Sequence, residues 1–341
     1  MHFTVILRIL GMLLMIFSLT MAVPLLLAWA LDETAFNAFL SALAITFFSG
    51  FIIWLPVQLV RHELRTRDGF IVVALFWTVL SLFGALPFYL SEDLQFSVAD
   101  SIFESVSGLT TTGATVITGI DLLPKSILYY RQQLQWMGGM GIIVLAVAIL
   151  PMLGIGGMQL YRAETPGPVK DTKLTPRITE TAKALWYIYA SLTVMCMLAY
   201  WAAGMTFFDA LGHSFSTVAI GGFSTHDASF GYFDSPLIEG IGIFFMILSG
   251  ANFGLHFVAW QSRGIRHYLV DPEFRFYISL LIIISALACA VLIVTDSYQP
   301  LAALRAAVFQ VVSIATTTGF ATTGFAHWPN MLPFLLFLTA F

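Results

Sequence analysis

Three short stretches of the chain share one pattern of serine, threonine and glycine. They align without a gap and carry no carboxylate: Ser107-Gly-Leu-Thr-Thr-Thr-Gly-Ala114, Ser216-Thr-Val-Ala-Ile-Gly-Gly-Phe223 and Ser313-Ile-Ala-Thr-Thr-Thr-Gly-Phe320. Calcium or magnesium would call for carboxylate ligands. The chemistry available here is that of backbone carbonyl oxygens, which glycine allows to turn inward and which in rings replace the hydration shell of a monovalent cation. An ordinary threonine-rich turn would explain one copy, but not three.

Two columns of this alignment indicate a true repeat. Glycine recurs at Gly113, Gly222 and Gly319, and the residue three positions before each opening serine is polar: Glu104, His213 or Gln310. We interpret the polar column as side chains that hydrogen-bond behind the loops and support them, with Arg131 as a partner of Glu104. The alternative is that these side chains extend toward the outer water. Asp100 and Asp209 lie near the starts of the preceding segments, where a carboxylate caps a helix.

The elements that position these loops are membrane helices. The chain of 341 residues is 59% hydrophobic and 10% charged, with a mean hydropathy of +0.88, which excludes a soluble domain. Each uncharged run holds about 20 or more residues, enough for one helix to cross a ~30 Å hydrocarbon core. The runs lie between residues 8 and 32, 33 and 61, 68 and 92, 131 and 162, 183 and 209, 239 and 263, and 275 and 296.

Each Ser/Thr/Gly stretch follows a segment of about a dozen residues that is too short to cross a bilayer. Non-helical backbone at membrane depth is tolerated only where protein buries it or where it lines a water-filled cavity. A short helix that enters from outside and stops midway directs its partly negative carboxyl end toward the membrane interior. The pattern therefore predicts a pore for a weakly hydrated monovalent cation.

The charge distribution predicts the orientation. Of the 15 basic residues, 12 fall at the amino terminus or in the loops at 61–67, 162–183 and 263–275, which places those loops and the amino terminus in the cytoplasm. The opposite loops hold 12 of the 19 carboxylates. Acidic residues there concentrate cations at a pore mouth, or are simply tolerated at the outer face.

Four strings resemble a known family: Thr110-Thr-Thr-Gly-Ala114, Ile220-Gly-Gly-Phe-Ser-Thr-His-Asp227, Gln135-Trp-Met-Gly-Gly-Met-Gly-Ile142 and Met158-Gln-Leu-Tyr-Arg-Ala-Glu164. The chain resembles the pore-forming membrane subunit of the Trk/Ktr/HKT potassium transporter superfamily, and most closely its bacterial TrkH-type members. The resemblance implies an all-α integral membrane protein of repeated span, pore-helix, filter-loop and span units, as in potassium channels, preceded by two extra transmembrane helices.

The resemblance also implies a domain organisation. We expect two additional helices in 1–62, a first pore unit in 63–160 with its filter at 110–114, and a cytoplasmic linker at 161–183. A second pore unit follows in 184–265 with its filter at 219–224, and a third in 266–341 with its filter at 316–320. The second half of the third unit, a fourth unit and the remaining carboxyl-terminal part of the family pattern are expected to lie outside this sequence.

The function implied is selective potassium uptake across the bacterial inner membrane, with K⁺ as the transported ligand and no other cofactor. The family's filter carbonyls fall on Thr111, Thr112, Gly113, Ile220, Gly221, Gly222, Thr317, Thr318 and Gly319. The implied partners are a second copy of the chain and a cytoplasmic TrkA-type regulatory subunit that binds NAD, ATP or ADP, with no nucleic acid. The basic segment from Tyr161 to Lys183 would dock that subunit, or would contact anionic lipid.

Three alternatives remain at this stage. A proton- or sodium-coupled potassium symporter would share every feature described so far, and a non-conducting scaffold would follow if the chain ends naturally at Phe341. An intramembrane enzyme is disfavoured because no HExxH or GxSxG string is present. The chain is therefore predicted not to be an enzyme.

Overall fold

The computed structural model describes residues 3–60, 66–141, 178–262, 264–329 and 331–340. These parts are helical, and no β-strand occurs among them. They form two compact units, one within Met1–Thr110 and Ala114–Trp186, the other within Thr111–Gly113 and Tyr187–Phe341. The all-α fold predicted from hydropathy is confirmed.

The first unit begins with the two additional spans. Helices α1 (Phe3–Thr20) and α2 (Ala22–Ala30) form one apolar span, and α3 (Phe36–Trp54) with the 3₁₀ turn Leu55–Val57 forms the next. Helices α1 and α3 approach closely at Gly11 and Gly50, where a β-carbon on either residue would lie 2.7 Å from the carbonyl oxygen of the other. Small residues permit such contacts between membrane helices.

The first repeat follows in the same unit. Helices α4 (Thr66–Gly84) and α5 (Leu86–Leu90) contribute the span Ile71–Leu90. Helix α6 (Val98–Leu109) has 12 residues, or about 18 Å of rise, which is too short to cross. Helix α7 (Lys125–Trp136) continues into a π-helical turn at Met137–Gly141. The rest of the run predicted between residues 131 and 162 lies outside the described residues.

The second unit contains the next two repeats. It includes the part of α8 (Ile178–Ala202) that begins at Tyr187. The remaining helices are α9 (Phe207–Val218), α10 (Pro236–Gly250), α11 (Phe253–Ser262), α12 (Arg266–Val270), α13 (Pro272–Val294), α14 (Pro300–Ala315) and α15 (Leu332–Leu338). Among them α9 and α14 are the short helices that precede the second and third loops.

Five helices or continuous helix pairs in the described parts are long and apolar enough to cross a membrane. The run between residues 239 and 263 was expected to form one helix, and this prediction is wrong: the run forms two helices, α10 and α11, which meet at 95°. The side chain of Asn252 accepts the Gly254 amide at 2.9 Å and so starts a new helix. His256 Nε2 then donates to the Leu248 carbonyl at 2.8 Å, which satisfies an acceptor near the end of α10.

Candidate ion-conducting site

The three loops have the same backbone conformation. Thr111, Ile220 and Thr317 lie in the left-handed region with φ of 55°, 49° and 60°, and the glycines two positions later have φ of 77°, 81° and 87°. The residue between them is not left-handed in any of the three loops. Left-handed backbone is unfavourable for β-branched residues, and strain of this kind persists only where surrounding structure imposes it. The same strained pattern of φ angles in all three loops therefore indicates that the loops share one function.

The amides of the loops point back toward the short helices. Gly221 N donates to Ser216 O and Thr318 N donates to Ser313 O, both at 2.8 Å. The acceptors belong to the serine column of the alignment, so the backbone of that column anchors the second and third loops. The amides of Gly221 and Thr318 are thus engaged on the helix side of their loops.

The loops also converge. A β-carbon built on Gly113 would overlap the carbonyl oxygen of Gly221 and lie 3.4 Å from that of Thr318. A β-carbon on Gly222 would overlap the carbonyl oxygen of Thr318. Residues from all three repeats thus meet within van der Waals distance, in the second compact unit. No cluster of three or more His, Cys, Asp or Glu side chains suited to a metal occurs among the described residues. The oxygen atoms that approach Gly113 and Gly222 are the backbone carbonyl oxygens of Gly221 and Thr318.

A buried ion pair lies in the first repeat. Glu104 on α6 and Arg131 on α7 both have 0% exposed side chains, and Arg131 Nε donates to Glu104 Oε1 at 2.7 Å. The Thr115 hydroxyl lies 3.0 Å from both carboxylate oxygens, and Val116 N donates to Oε2 at 3.3 Å. Arg131 Nη2 also donates to Thr115 Oγ1 at 3.1 Å. The segment that follows the first loop is therefore tied to α6 and α7 by charge-assisted hydrogen bonds.

A neutral side chain occupies the same place in the second repeat. His213 Nδ1 lies 2.9 Å from the Asp209 carbonyl oxygen, which only accepts, so Nδ1 carries the proton and Nε2 accepts from the Ser224 hydroxyl at 2.9 Å. The imidazole is fully buried and has Phe230, Phe233 and Phe320 as ring neighbours. Ser224 follows His213 by 11 residues, as Thr115 follows Glu104 by 11.

The third repeat uses a single amide. Its counterpart of Thr115 and Ser224 is Ala321, which has no hydroxyl group. Gln310 instead donates from Nε2 to the Thr323 carbonyl oxygen at 2.8 Å. Like Glu104 and His213, Gln310 is 0% exposed, so none of the three side chains extends to the outer water.

The comparisons with known proteins agree on one family. Residues 35–341 match the family model described as TrkH, a cation transport protein. The chain belongs to the TrkH family. "Trk system potassium uptake protein TrkH" of Halomonas elongata is 63% identical over 344 residues, covering 100% of this chain and 71% of that protein. The protein of the same description from Escherichia coli K12 is 54% identical over 342 residues, with the same coverage.

A solved structure of the TrkH family has the same fold. The crystal structure of the potassium transporter TrkH from Vibrio parahaemolyticus matches with a TM-score of 0.87 and 53% identity, over 99% of this chain and 70% of that one. The predicted resemblance and membrane architecture are thereby confirmed. The family is one of transport proteins, so the prediction that the chain is not an enzyme is also confirmed.

Sequence reasoning missed a second function of Asp209. It was interpreted as a helix cap, but the N-cap is Thr206, whose hydroxyl accepts the Asp209 amide at 3.1 Å and donates to Asp209 Oδ2 at 2.6 Å. Its Oδ1, however, accepts from Thr225 at 2.7 Å and lies 3.4 Å from His226 Nε2. Burial alone would raise the pKa of Asp209, but hydrogen bonds from His226, Thr206 and Thr225 hold it well below its usual range. The anion therefore restrains Thr225 and His226, which closely follow the second loop. The Ser-Thr-His run after Gly222 was the available signal.

Two further contacts were also missed. Arg305 on α14 donates to the buried Glu239 at 2.7 Å and to the exposed Asp234 at 3.0 Å, which links the third short helix to the start of α10. A β-carbon on Gly138 would overlap the carbonyl oxygen of Leu109. This contact lies at the carboxyl end of α6, directly before the first loop.

Proposed function

We propose that this chain forms the ion pathway for potassium uptake across a bacterial inner membrane. The observation that carries the proposal is that three loops with the same strained pattern of φ angles converge. Backbone carbonyl oxygens lie where they meet. Carbonyl rings suit a weakly hydrated monovalent cation. The relatives described as potassium uptake proteins make K⁺ the transported ion.

The filter in this proposal comprises the backbone of three equivalent tripeptides. They are Thr111, Thr112 and Gly113; Ile220, Gly221 and Gly222; and Thr317, Thr318 and Gly319. Each tripeptide is supported by a buried polar group that fixes the segment after the loop. The groups are the Glu104–Arg131 pair in the first repeat, His213 in the second and Gln310 in the third. Support from behind is needed because carbonyl groups that crowd one ion repel one another, and loosely held groups would adapt to other ions.

The decisive experiment compares one substitution at two glycines of equal torsion. Gly113 has φ of 77° and faces a neighbouring loop, whereas Gly119 has φ of 74° and its nearest neighbour for an added β-carbon is Leu122, at 4.0 Å. We expect Gly113→Ala to abolish rubidium uptake into proteoliposomes that contain the full-length protein. Gly119→Ala carries the same backbone penalty and should retain most of the uptake. Equal uptake by both variants would refute the filter assignment.

Ion coupling is tested on the same liposomes. A channel predicts that the reversal potential follows the potassium gradient alone. A proton- or sodium-coupled symporter predicts a shift when the second ion's gradient is changed at constant potassium.

The proposed membrane orientation places the amino terminus in the cytoplasm. Arg8 on α1 donates to the Val60 carbonyl at 2.7 Å, beside the basic loop that begins at Arg61. The Thr34 hydroxyl donates to Asp93 at 2.7 Å in the acidic loops at the other ends of their spans. A cysteine at Asp93 should react with an impermeant maleimide from outside intact cells, and one at Arg61 should react only after lysis.

The remaining family features are proposals for this chain as well. They comprise the unit boundaries 1–62, 63–160, 161–183, 184–265 and 266–341, the homodimer, and docking of a TrkA-type nucleotide-binding subunit on residues 161–183. That segment lies outside the described residues, apart from the first turns of α8. Co-purification with the regulatory subunit, lost when the five basic residues of 161–183 are neutralised, would support the docking proposal.

A further inference from the structure

Helix α7 is unusually polar for a helix that protein encloses on nearly every side. Its 12 residues include Arg131, two tyrosines and three glutamines, yet nine of the twelve are buried. Buried polar groups are stable only when they are hydrogen-bonded. The partners of these side chains, and of the amides at the start of the helix, therefore show what fixes α7 in place.

One partner is the carboxylate of Glu33, in the loop between α2 and α3. Its two oxygens accept the amides of Lys125 at 2.8 Å and Ser126 at 3.0 Å. These amides belong to the first turn of α7, which has no side-chain cap of its own because Pro124 occupies the N-cap position. A residue 92 positions away in sequence thus caps α7 and places a negative charge at its positive end.

A second partner lies at the junction of α1 and α2. Gln133 Nε2 donates to the Thr20 carbonyl oxygen at 3.0 Å. In a continuous helix that carbonyl would accept the amide of residue 24, but Pro24 has none. The glutamine supplies the missing donor. Tyr130 similarly donates to the Gly84 carbonyl at 2.9 Å, at the end of α4, and its ring contacts Phe39 of α3.

We propose that the amino-terminal helices α1–α3 position the first filter loop by fixing α7, and that Glu33 is the positioning residue at its outer end. Arg131 lies six residues after Lys125, about 9 Å along the same rigid helix. Arg131 holds Glu104 and Thr115, and Thr115 is two residues beyond Gly113. Displacement or fraying of the first turn of α7 therefore moves the group that supports the first loop. This inference rests on the proposed filter function.

The experiment measures rubidium and sodium uptake by proteoliposomes with the full-length protein and its Glu33→Ala, Glu33→Gln and Asp32→Asn variants. Asp32→Asn is the matched control because it removes the same charge from the adjacent position, and asparagine tolerates the left-handed backbone found there, with φ of 53°. Glu33→Ala removes both acceptors of a helix cap. We expect it to raise the rubidium KM about threefold to tenfold and to increase sodium uptake relative to rubidium uptake. This range corresponds to the roughly 1 kcal/mol that a helix loses with its N-cap.

Glu33→Gln, which keeps one acceptor, should give a smaller change, and Asp32→Asn none. A purely structural role would lower the amount of active protein, and hence Vmax, without changing KM or the rubidium-to-sodium ratio. That result, or equal behaviour of Glu33→Ala and Asp32→Asn, would overturn the inference.

A double variant tests the path through Thr115. If Glu33 and Thr115 act on the same loop through α7, the KM changes of Glu33→Ala and Thr115→Val should not add in the double variant. Additive changes would overturn the inference even if each single variant were impaired. Failure of the proposed function itself is distinguishable, because the unmodified protein would then show no saturable, rubidium-selective uptake and no loss with Gly113→Ala.

Discussion

The first and second repeats hold equivalent loops by opposite electrostatic means. Glu104 in the first repeat is part of a fully buried ion pair, whereas His213 in the second is a neutral imidazole among aromatic rings. Both reach the hydroxyl of the residue 11 positions later. The backbone torsions and the position of the support are therefore common to the two repeats, while the chemistry of the support is not.

The two supports differ most in the free-energy cost of losing one partner. Removing one member of a buried ion pair leaves an uncompensated charge, which costs about 3–5 kcal/mol. Removing one member of a neutral hydrogen bond leaves an unsatisfied polar group, which costs about 1–3 kcal/mol. Substitutions of the equivalent residues Glu104 and His213 should therefore destabilise the protein by different amounts.

The largest effect is expected for Glu104→Gln, because it leaves the Arg131 guanidinium buried without a counter-charge. We expect most of the protein to be lost from the folded peak in fluorescence-detected gel filtration, and the remainder to melt at a much lower temperature. The double variant Glu104→Gln/Arg131→Met leaves no unpaired charge and should regain much of that stability. A double variant no more stable than the single one would contradict the assigned charge effect.

An intermediate effect is expected for His213→Leu. Leucine fills much of the space among the phenylalanine rings but leaves the Ser224 hydroxyl and the Asp209 carbonyl without this partner, at about 1–3 kcal/mol. The thermal midpoint should fall by clearly less than in Glu104→Gln, and rubidium uptake should lose selectivity against sodium. Ser224→Ala combined with His213→Leu should cost little beyond His213→Leu alone. If His213→Leu proved as damaging as Glu104→Gln, the contrast between the repeats would not hold.

A smaller effect is expected for Gln310→Leu, which removes one neutral bond, to Thr323, at about 1 kcal/mol. We expect near-normal folding with a measurable rise in sodium uptake. Ala321→Ser is a companion variant that introduces the hydroxyl present at Thr115 and Ser224. It should leave uptake unchanged in the presence of Gln310. A stronger defect in Gln310→Leu than in His213→Leu would reverse the proposed order of the supports.

The smallest effect is expected for Asp234→Asn in the outer ion-pair cluster. The Asp234 side chain is 84% exposed, so water and salt screen its pairing with Arg305. Neither thermal midpoint nor uptake should change measurably at physiological salt. Arg305→Met should be more damaging, because Glu239 would then be left 4% exposed without that partner.

The repeat itself was predictable because its members recur at fixed spacing. The glycine column and the polar column both follow from short, local registers. The bonds from α7 to Glu33 and Thr20 were not predictable, since their partners lie 92 and 113 positions apart and recur nowhere else. The break between α10 and α11 was missed for another reason. Its residues are apolar enough to continue a helix, and a hydropathy profile does not detect a helix-capping residue such as Asn252.

The grouping of Thr111–Gly113 with the second compact unit bears on biogenesis. The ribosome delivers α6 and the first loop well before the residues that the loop contacts, because Gly222 and Gly319 follow Gly113 by 109 and 206 positions. At about 5–20 residues per second, the first loop waits roughly 10–40 s for the third. During that interval Glu104 and Arg131 are already available to each other. The charged pair therefore lies in the repeat whose loop is synthesised before the other two.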